Sequence, residues 1–564
     1  MHLLDWLILA GFFVYTLWDG LKHAGKHEGL DSVVLAGRST PWWAAGLSVM
    51  ATQASAITFI STTGLAYVED MKFLQFYLGL PLAMVILSVT LVPLYYKLKV
   101  YTIYEALENR FGLRLRLMTS AIFLLSKGVT VGFAIAAPAY VLSLLFHISL
   151  TWTILLMGLT ATIYTMFGGI GGVIRTDMKQ MFLMIFALIF CSVWIIWRLP
   201  EEVSFVDSLQ LAGTLGKLEI IDTQFDLGSK YNIWSGLIAG TFLMLSYFGA
   251  DQPQVQRVLT AKSLTDARSS LLMSAVLKLP MQFFILLLGI LMYVFYIYHP
   301  APLVFHEGRS CSAAMNQSFD ESMLERRFLA NKCLEENGPM CEAFQKKDKE
   351  INEMRHTALV LSSVKKEKIE PDTNYIFPYF MLHELPVGIL GLILAGIFAA
   401  ALSSIDSVLN SLATSSVVDW LRRLQREKRS EGYYLRATRI TTALWGIFAT
   451  STALAFGETD AIIEIVNQLG SLVYGPILGV FLLLWQKRAT SRSVFWAFLL
   501  GVGTVMVVGG WQINCFSGEH SWHFPLGGPL EGYKNAIEYL WLNPLGVSVV
   551  FVVGWLGGSE KMEG

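Results

Sequence analysis

Residues 398–410 read FAAALSSIDSVLN and set five polar side chains, Ser403, Ser404, Asp406, Ser407 and Asn410, into an otherwise apolar run. Two adjacent hydroxyls are oxygen donors of the kind a hard cation such as Na⁺ takes. With the carbonyl of Ala400, one turn earlier, they could form one side of an oxygen cage. The alternative is that each hydroxyl bonds back onto its own helix. Lys127, Asp177, Asp251, Lys278 and Glu464 also fall in apolar runs, where an ionisable group is costly and needs a partner or a task. No His-Glu-x-x-His, Gly-x-Ser-x-Gly or Walker sequence occurs, and cysteines and histidines do not cluster at metal-ligand spacing. An enzyme is therefore not expected. A formal net charge of −1 gives no reason to expect a nucleic-acid partner.

Helices in a lipid bilayer must position these groups. The chain is 54% hydrophobic and 15% charged, with a mean hydropathy of +0.52. Apolar runs of about 20 residues, the length that crosses a bilayer as helix, recur along it. They are too long for barrel strands, so the expected class is an all-α membrane protein. Thirteen spans are expected, near 3–19, 42–68, 73–97, 118–146, 151–174, 178–198, 232–256, 268–298, 386–418, 437–456, 461–485, 494–513 and 540–557. The first has no basic region before it and reads as a span, not a cleaved signal peptide.

Positive charge sets the orientation. The link after span 3 carries Lys97, Lys99, Arg110, Arg114 and Arg116, and that after span 9 carries Arg422, Arg423, Arg426, Lys428, Arg429, Arg436 and Arg439. The links after spans 2, 4, 10 and 12 hold only Lys72 and Lys534 between them. The N-terminus is thus expected outside and the C-terminus in the cytoplasm of a multi-pass plasma-membrane protein. The polar loop 299–375 then lies outside, with Cys311, Cys333 and Cys341, while Cys515 lies in another outer loop. An oxidising exterior permits one or two disulfides, and unpaired thiols are the alternative. Asn316-Gln317-Ser318 fits a glycosylation sequon.

Two spans look interrupted. AAGLSVMATQASAITFISTTG (44–64) has a polar Thr52-Gln53-Ala54-Ser55 centre, and SYFGADQPQVQR (246–257) sets Gly249 and Pro253 beside Asp251. Each opens a block of five spans, 2–6 and 7–11. Matched interruptions in two halves point to an inverted-repeat transporter with a mid-membrane site, where unwound carbonyls can hold a cation. Close helix packing through small residues is the alternative. The expected organisation is a first helix and inner link (1–41), a first repeat (42–198), an outer loop (199–231), a second repeat (232–485) that carries the 299–375 loop, and two peripheral helices (486–564).

WWAAGLSVMATQASAITFISTTG, YTMFGGIGGVIRTDMKQ, DQPQVQRVLTAKS, LKLPMQ and GIFAAALSSIDSVLNS, in this order, resemble the sodium:solute symporter family in its bacterial-type members. The family includes sodium-coupled sugar, sialic acid, proline, vitamin and iodide carriers. The resemblance spans about residues 40–490. It implies a leucine-transporter-like core of five plus five inverted helices after one extra helix, with Na⁺ as the transported ion and no organic cofactor. Its sodium site maps to carbonyls of Ala51, Ala54 and Ala400 and hydroxyls of Ser403 and Ser404. Asp177 matches an aspartate that serves a second sodium site or the ion's exit in some members; a helix-end charge is the alternative. Asp406 and Asn410 then line the inner vestibule or bond between helices.

The solute site implied by the resemblance departs from the sugar carriers. Their glutamine, glutamate and asparagine become Thr58, Tyr77 and Met244 here. Tyr247 matches an inner aromatic gate, and Lys278 a lysine bordering the cavity. Lys127 lies within about one turn of the arginine that a sialic-acid carrier uses for a carboxylate; pairing with Glu464 or another intramembrane acid is its alternative. Gln53, Ser55, Phe73, Gln75 and Asn467 complete the expected lining. Loss of sugar-binding polar groups disfavours a hexose and favours an organic anion or zwitterion, such as a sialic or other carboxylic acid. The expected function is sodium-coupled uptake of a small organic solute by alternating access. A sodium/sugar symporter and a proton-coupled symporter remain the alternatives. A continuous polar pore is not evident, which argues against a channel, and the inner tail is too short for a signalling domain.

Overall fold

The computed structural model describes the chain except residues 1, 23–28, 147, 307–310, 337, 363–371, 428, 457–461, 510–511, 516–521, 526–537 and 559–564, and except the side chains at 57, 137, 141, 144–146, 456, 462–469, 471, 512–515 and 522–525. Helix α1 (Leu3–Lys22) packs against the N-terminal end of the helix that starts at Ile389. The buried Asp5 Oδ1 accepts there from the backbone N–H of Gly388 at 2.7 Å and of Gly391 at 3.0 Å, satisfying donors that a helix N-terminus leaves open. After the short α2 (Leu30–Leu35), the second span breaks as expected. Helix α3 (Trp42–Gln53) stops at Ala54 (φ −91°, ψ 64°), and Ser55 restarts α4 (Ala56–Val68) as its N-cap, accepting from Thr58 N at 3.2 Å. The axis bends by 57°. A Thr-Gln-Ala-Ser run favours this because short polar side chains satisfy cap donors better than they suit a helix interior.

A 3₁₀ turn (Lys72–Tyr77) leads to α5 (Gly79–Val89) and α6 (Leu91–Leu98), then the interfacial α7 (Ile103–Phe111), α8 (Leu113–Phe146) and α9 (Leu150–Arg198). Here the structure corrects the expected boundary. Spans 5 and 6 were expected to part between 174 and 178, yet α9 runs through and turns at Gly169 (φ 54°, ψ −171°). Only glycine takes that conformation without strain. Asp177 therefore sits inside the second half of α9, more than a turn from the bend.

Beyond α10 (Phe205–Thr214) and a π-turn, α11 (Gly240–Gly249) ends at Ala250, extended Asp251 (φ −108°, ψ 119°) comes next, and α12 (Gln252–Leu259) restarts with Pro253 in its first turn. Helix α13 (Leu264–Tyr298) contains Pro280. The 299–375 loop is largely helical: α14 (Ala313–Glu336) and α15 (Pro339–Ser362) form a hairpin closed by the disulfide Cys333–Cys341 and anchored by a buried Arg326–Asp348 ion pair at 3.1 Å. Cys311 is a free thiol, and the side chain of Cys515 lies outside the described residues. Then come α16 (Thr373–Glu384), α17 (Ile389–Ser415), α18 (Glu431–Phe456), α19 (Ile462–Leu482), α20 (Ser491–Val508) and α21 (Leu542–Leu556), with a small antiparallel ribbon of β1 (Gln512–Cys515) and β2 (Trp522–Pro525) between the last two helices.

Among the described residues, eight helices are long and apolar enough to cross a bilayer, and the bent α3–α4 pair makes a ninth. One of the eight, α9, covers two of the thirteen expected spans, while Ser235–Gly249 and Leu472–Trp485 are shorter apolar helices. Helix α17 runs through the middle, buried over most of its length against α1, α3, α4, α8, α9, α12 and α18.

Candidate functional site

The break in α3–α4 lies against α17. Helix α17 packs against both α3 and α4, and Phe59 of α4 and Ala400 of α17 line one small apolar cavity. Ser404 Oγ donates weakly to the Ala400 carbonyl at 3.4 Å, and the Ala51 carbonyl accepts from Ala54 N at 3.1 Å. Ser403 does not bond back onto its own helix. Its hydroxyl donates to Asp177 Oδ1 at 2.5 Å. A hydroxyl that gives its proton to a carboxylate keeps its lone pairs for a cation, and the carboxylate makes that oxygen more negative.

Asp177 is fully buried and heavily engaged. Ser48 donates to its Oδ2, and Arg257 of α12 forms an ion pair with it at 3.1 Å with both side chains fully buried. The same guanidinium donates to Ser48 Oγ at 2.8 Å, to the Pro253 carbonyl at 3.0 Å and to Ser407 Oγ. In this conformation Arg257 is the cation that Asp177 holds. Asp406 Oδ1 accepts from Ser407 Oγ at 3.2 Å, while its Oδ2 has no partner among the described residues. Asn410 Oδ1 accepts from Gln256 Nε2 at 2.9 Å, and Gln256 also reaches the Val34 carbonyl and Thr414. Asp406 and Asn410 are both buried, so a vestibule at these positions is closed here.

The two lysines differ. Lys127 Nζ pairs with Asp251 Oδ2 at 2.8 Å, meets Tyr474 OH at 2.8 Å, and lies over the Tyr474 ring at 5.0 Å and the Tyr247 ring at 5.9 Å. Its acid is thus Asp251, at the α11–α12 break; the side chains of Glu464 and Asn467 lie outside the described residues. Lys278, fully buried on α13, has no hydrogen-bond or ionic partner among the described residues and sits 5.2 Å above the ring of Tyr77. Tyr77 is edge-on to Phe73 at 6.0 Å. Gln75 is spent elsewhere, donating to the Tyr231 carbonyl at 3.0 Å and accepting from Asp222 N at 3.0 Å. Ser55 and Thr58 hydroxyls bond each other at 3.1 Å, Tyr247 OH accepts from Gln254 at 2.8 Å, and Gln53 Nε2 is buried without a partner.

Several groups in these networks were not among the expected site residues: Ser48, Arg257, Ser407 and Tyr474. Arg257 had a sequence signal, since it closes the polar QPQVQR run just after the second break. Tyr474 had none, because one tyrosine in an apolar helix does not announce which way it faces.

The pattern of the sodium:solute symporter family matches residues 33–322 and 360–501. The sodium/sialic acid symporter NanT of Aliivibrio fischeri is 27% identical over 512 residues, covering 90% of this chain and 87% of that protein. The sodium/sialic acid symporter SiaT of Proteus mirabilis is 26% identical over 515 residues, covering 89% of each. The solved outward-open, substrate-bound structure of a Na⁺-coupled sialic acid symporter superposes with a TM-score of 0.74 at 23% identity, covering 98% of this chain and 97% of that one. That likeness establishes the leucine-transporter-like fold.

Proposed function

The chain belongs to the sodium:solute symporter family, and we propose that the solute it takes up with sodium is a small organic acid or zwitterion whose carboxylate is held by Lys278. The family assignment makes it a multi-pass, sodium-coupled solute transporter and not an enzyme. The observation that carries the solute class is the buried Nζ of Lys278 above Tyr77, which has no partner among the described residues. An uncompensated charge in a low-dielectric interior is strongly disfavoured, and a bound carboxylate removes that penalty. Lys127 already has Asp251, so it holds the α11–α12 break in place. The sialic acid that the relatives carry has such a carboxylate.

Sodium is proposed to sit between the carbonyls of Ala51, Ala54 and Ala400 and the hydroxyls of Ser403 and Ser404. Bridging the α3–α4 break to α17 favours the outward-open state, in which the solute then binds. One Na⁺ moving inward down ~100 mV contributes about 2.3 kcal/mol, before its concentration gradient is added. A second ion at Asp177 requires Arg257 to withdraw. The basic inner links support an outside N-terminus and a cytoplasmic C-terminus, and the Cys333–Cys341 disulfide suits a 299–375 loop in an oxidising exterior.

The test is uptake into proteoliposomes. N-acetylneuraminate, lactate and glucose are offered under an inward sodium gradient, an inward potassium gradient, and a proton gradient without sodium. An acid should accumulate with sodium alone. Accumulation of glucose and of no acid favours the sugar reading. Accumulation on the proton gradient favours proton coupling.

A further inference from the structure

We infer that Gln282 is a specificity-determining residue: with Lys278 it selects acids that carry an O–H or N–H donor a few ångströms from the carboxylate. The inference rests on the reading of Lys278 as the carboxylate site.

Gln282 comes four residues after Lys278 on α13, so the two side chains leave the same face of the helix, with Cβ atoms about 5–6 Å apart. Both are fully buried. Gln282 Nε2 donates to Thr62 Oγ1 at 3.1 Å. The orientation of that amide is set by its neighbour. Thr62 gives its own proton to the Thr58 carbonyl at 2.5 Å, so towards Gln282 its oxygen can only accept. Turning the amide over would set two acceptors against each other. Gln282 Oε1 is therefore the atom turned away from Thr62, and it has no hydrogen-bond partner among the described residues.

Lys278 and Gln282 thus present one free donor and one free acceptor, one turn apart. The two do not bond each other, since neither free atom has any hydrogen-bond partner. A buried acceptor left without a donor carries the full cost of its lost hydration. A ligand that brings a carboxylate to Lys278 and a donor to Gln282 satisfies both atoms. The arrangement is also held firmly. At Gly289, nearly two turns further along α13, an added Cβ would lie 2.1 Å from the Thr63 carbonyl of α4. Helices α4 and α13 are therefore in backbone contact at Gly289.

A site built to meet a substrate hydroxyl rejects the analogue that lacks it far more strongly than an apolar pocket does. The chemical class is therefore a hydroxy, amino or amido acid, in preference to a simple carboxylate.

The test measures thermal stabilisation of the purified full-length protein in saturating NaCl. Matched probes are lactate against propionate and 3-hydroxybenzoate against benzoate, with N-acetylneuraminate beside them. In the wild type at least one hydroxylated probe should bind tenfold or more tightly than its partner. In Gln282→Leu that ratio should fall to near one, while the plain acid changes by less than threefold. Gln282→Glu places a resident carboxylate beside Lys278 and should abolish binding of every acid. Sodium-induced stabilisation, retained in both variants, shows that they fold. Should Gln282→Leu fail to fold, Thr62→Val frees the amide to turn and should reduce the ratio in the same direction. Equal binding of both members of each pair in the wild type overturns the inference, as does a ratio preserved in the variants. If no acid stabilises the wild type, the carboxylate reading of Lys278 itself is overturned, and this inference with it.

Discussion

Lys127 and Lys278 are two lysines in apolar helices whose difference is entirely one of company. Lys127 is matched by Asp251 at 2.8 Å, whereas Lys278 has only the face of Tyr77. Removing one member of a buried ion pair leaves the other uncompensated and costs about 3–5 kcal/mol. Lys127→Met should therefore lower the unfolding temperature in detergent markedly. Lys278→Met removes an unpaired buried charge and should leave that temperature unchanged or raise it, while acid-dependent stabilisation disappears. Equal destabilisation by both variants would show that Lys278 has a structural partner. At Asp177 the question is which cation it serves. If a second sodium displaces Arg257 during the cycle, Asp177→Asn should reduce the number of Na⁺ moved per solute. If Asp177 only orients Ser403 and Arg257, stoichiometry should hold and turnover should fall. Coupled-flux measurements in proteoliposomes separate the two. The sequence exposed both lysines and Asp177 as anomalies. It did not expose their partners, which lie 124 residues away for Lys127 and 80 for Asp177.

Among the helices, the breaks were legible where side-chain chemistry caused them. Thr52-Gln53-Ala54-Ser55 offers cap hydroxyls and little else to a helix interior, and Gly249 with Pro253 brackets Asp251. Both interruptions appear at these places. The turn within α9 was misplaced because its cause is one backbone conformation among several adjacent glycines, and hydropathy marks no boundary there. Gly169 at φ 54° bears that turn, and an added Cβ would come within 3.0 Å of the Val33 carbonyl. Gly169→Ala should cost at least ~1–2 kcal/mol from the left-handed conformation alone, with a further loss of contact to α2. A thermal melt indistinguishable from wild type would show that the turn relaxes freely. The α11–α12 break is tied down differently. Lys127 of α8 holds Asp251, and Asp177 of α9 holds Arg257, so two buried ion pairs fasten the broken segment to the helices of the first half. Asp251→Asn should destabilise as Lys127→Met does, and the double variant should recover part of the loss, as a coupled pair requires.

For the molecule as a whole, composition and charge asymmetry were enough to read an all-helical membrane protein, and matched interruptions were enough to read a transporter. The number of spans was less legible, because α9 joins two apolar runs and the shorter apolar helices fall below the length that hydropathy alone selects. The helical hairpin in the 299–375 loop was hidden for the opposite reason: its helices are polar outside and are fixed by a disulfide and by buried arginines, not by an apolar stripe. What joins these scales is the claim that Ser403 and Ser404, on a helix that packs against α3 and α4, bind the sodium that drives uptake. The most direct measurement needs no solute. Thermal stability of purified wild type, Ser403→Ala and Ser404→Ala is measured against NaCl, with choline chloride holding ionic strength constant. The account predicts saturable stabilisation by sodium but not by potassium in the wild type, with half-saturation raised about tenfold or more in each variant, or about 1.4 kcal/mol of lost affinity. Half-saturation unchanged in both variants, or stabilisation by potassium equal to that by sodium, would contradict it.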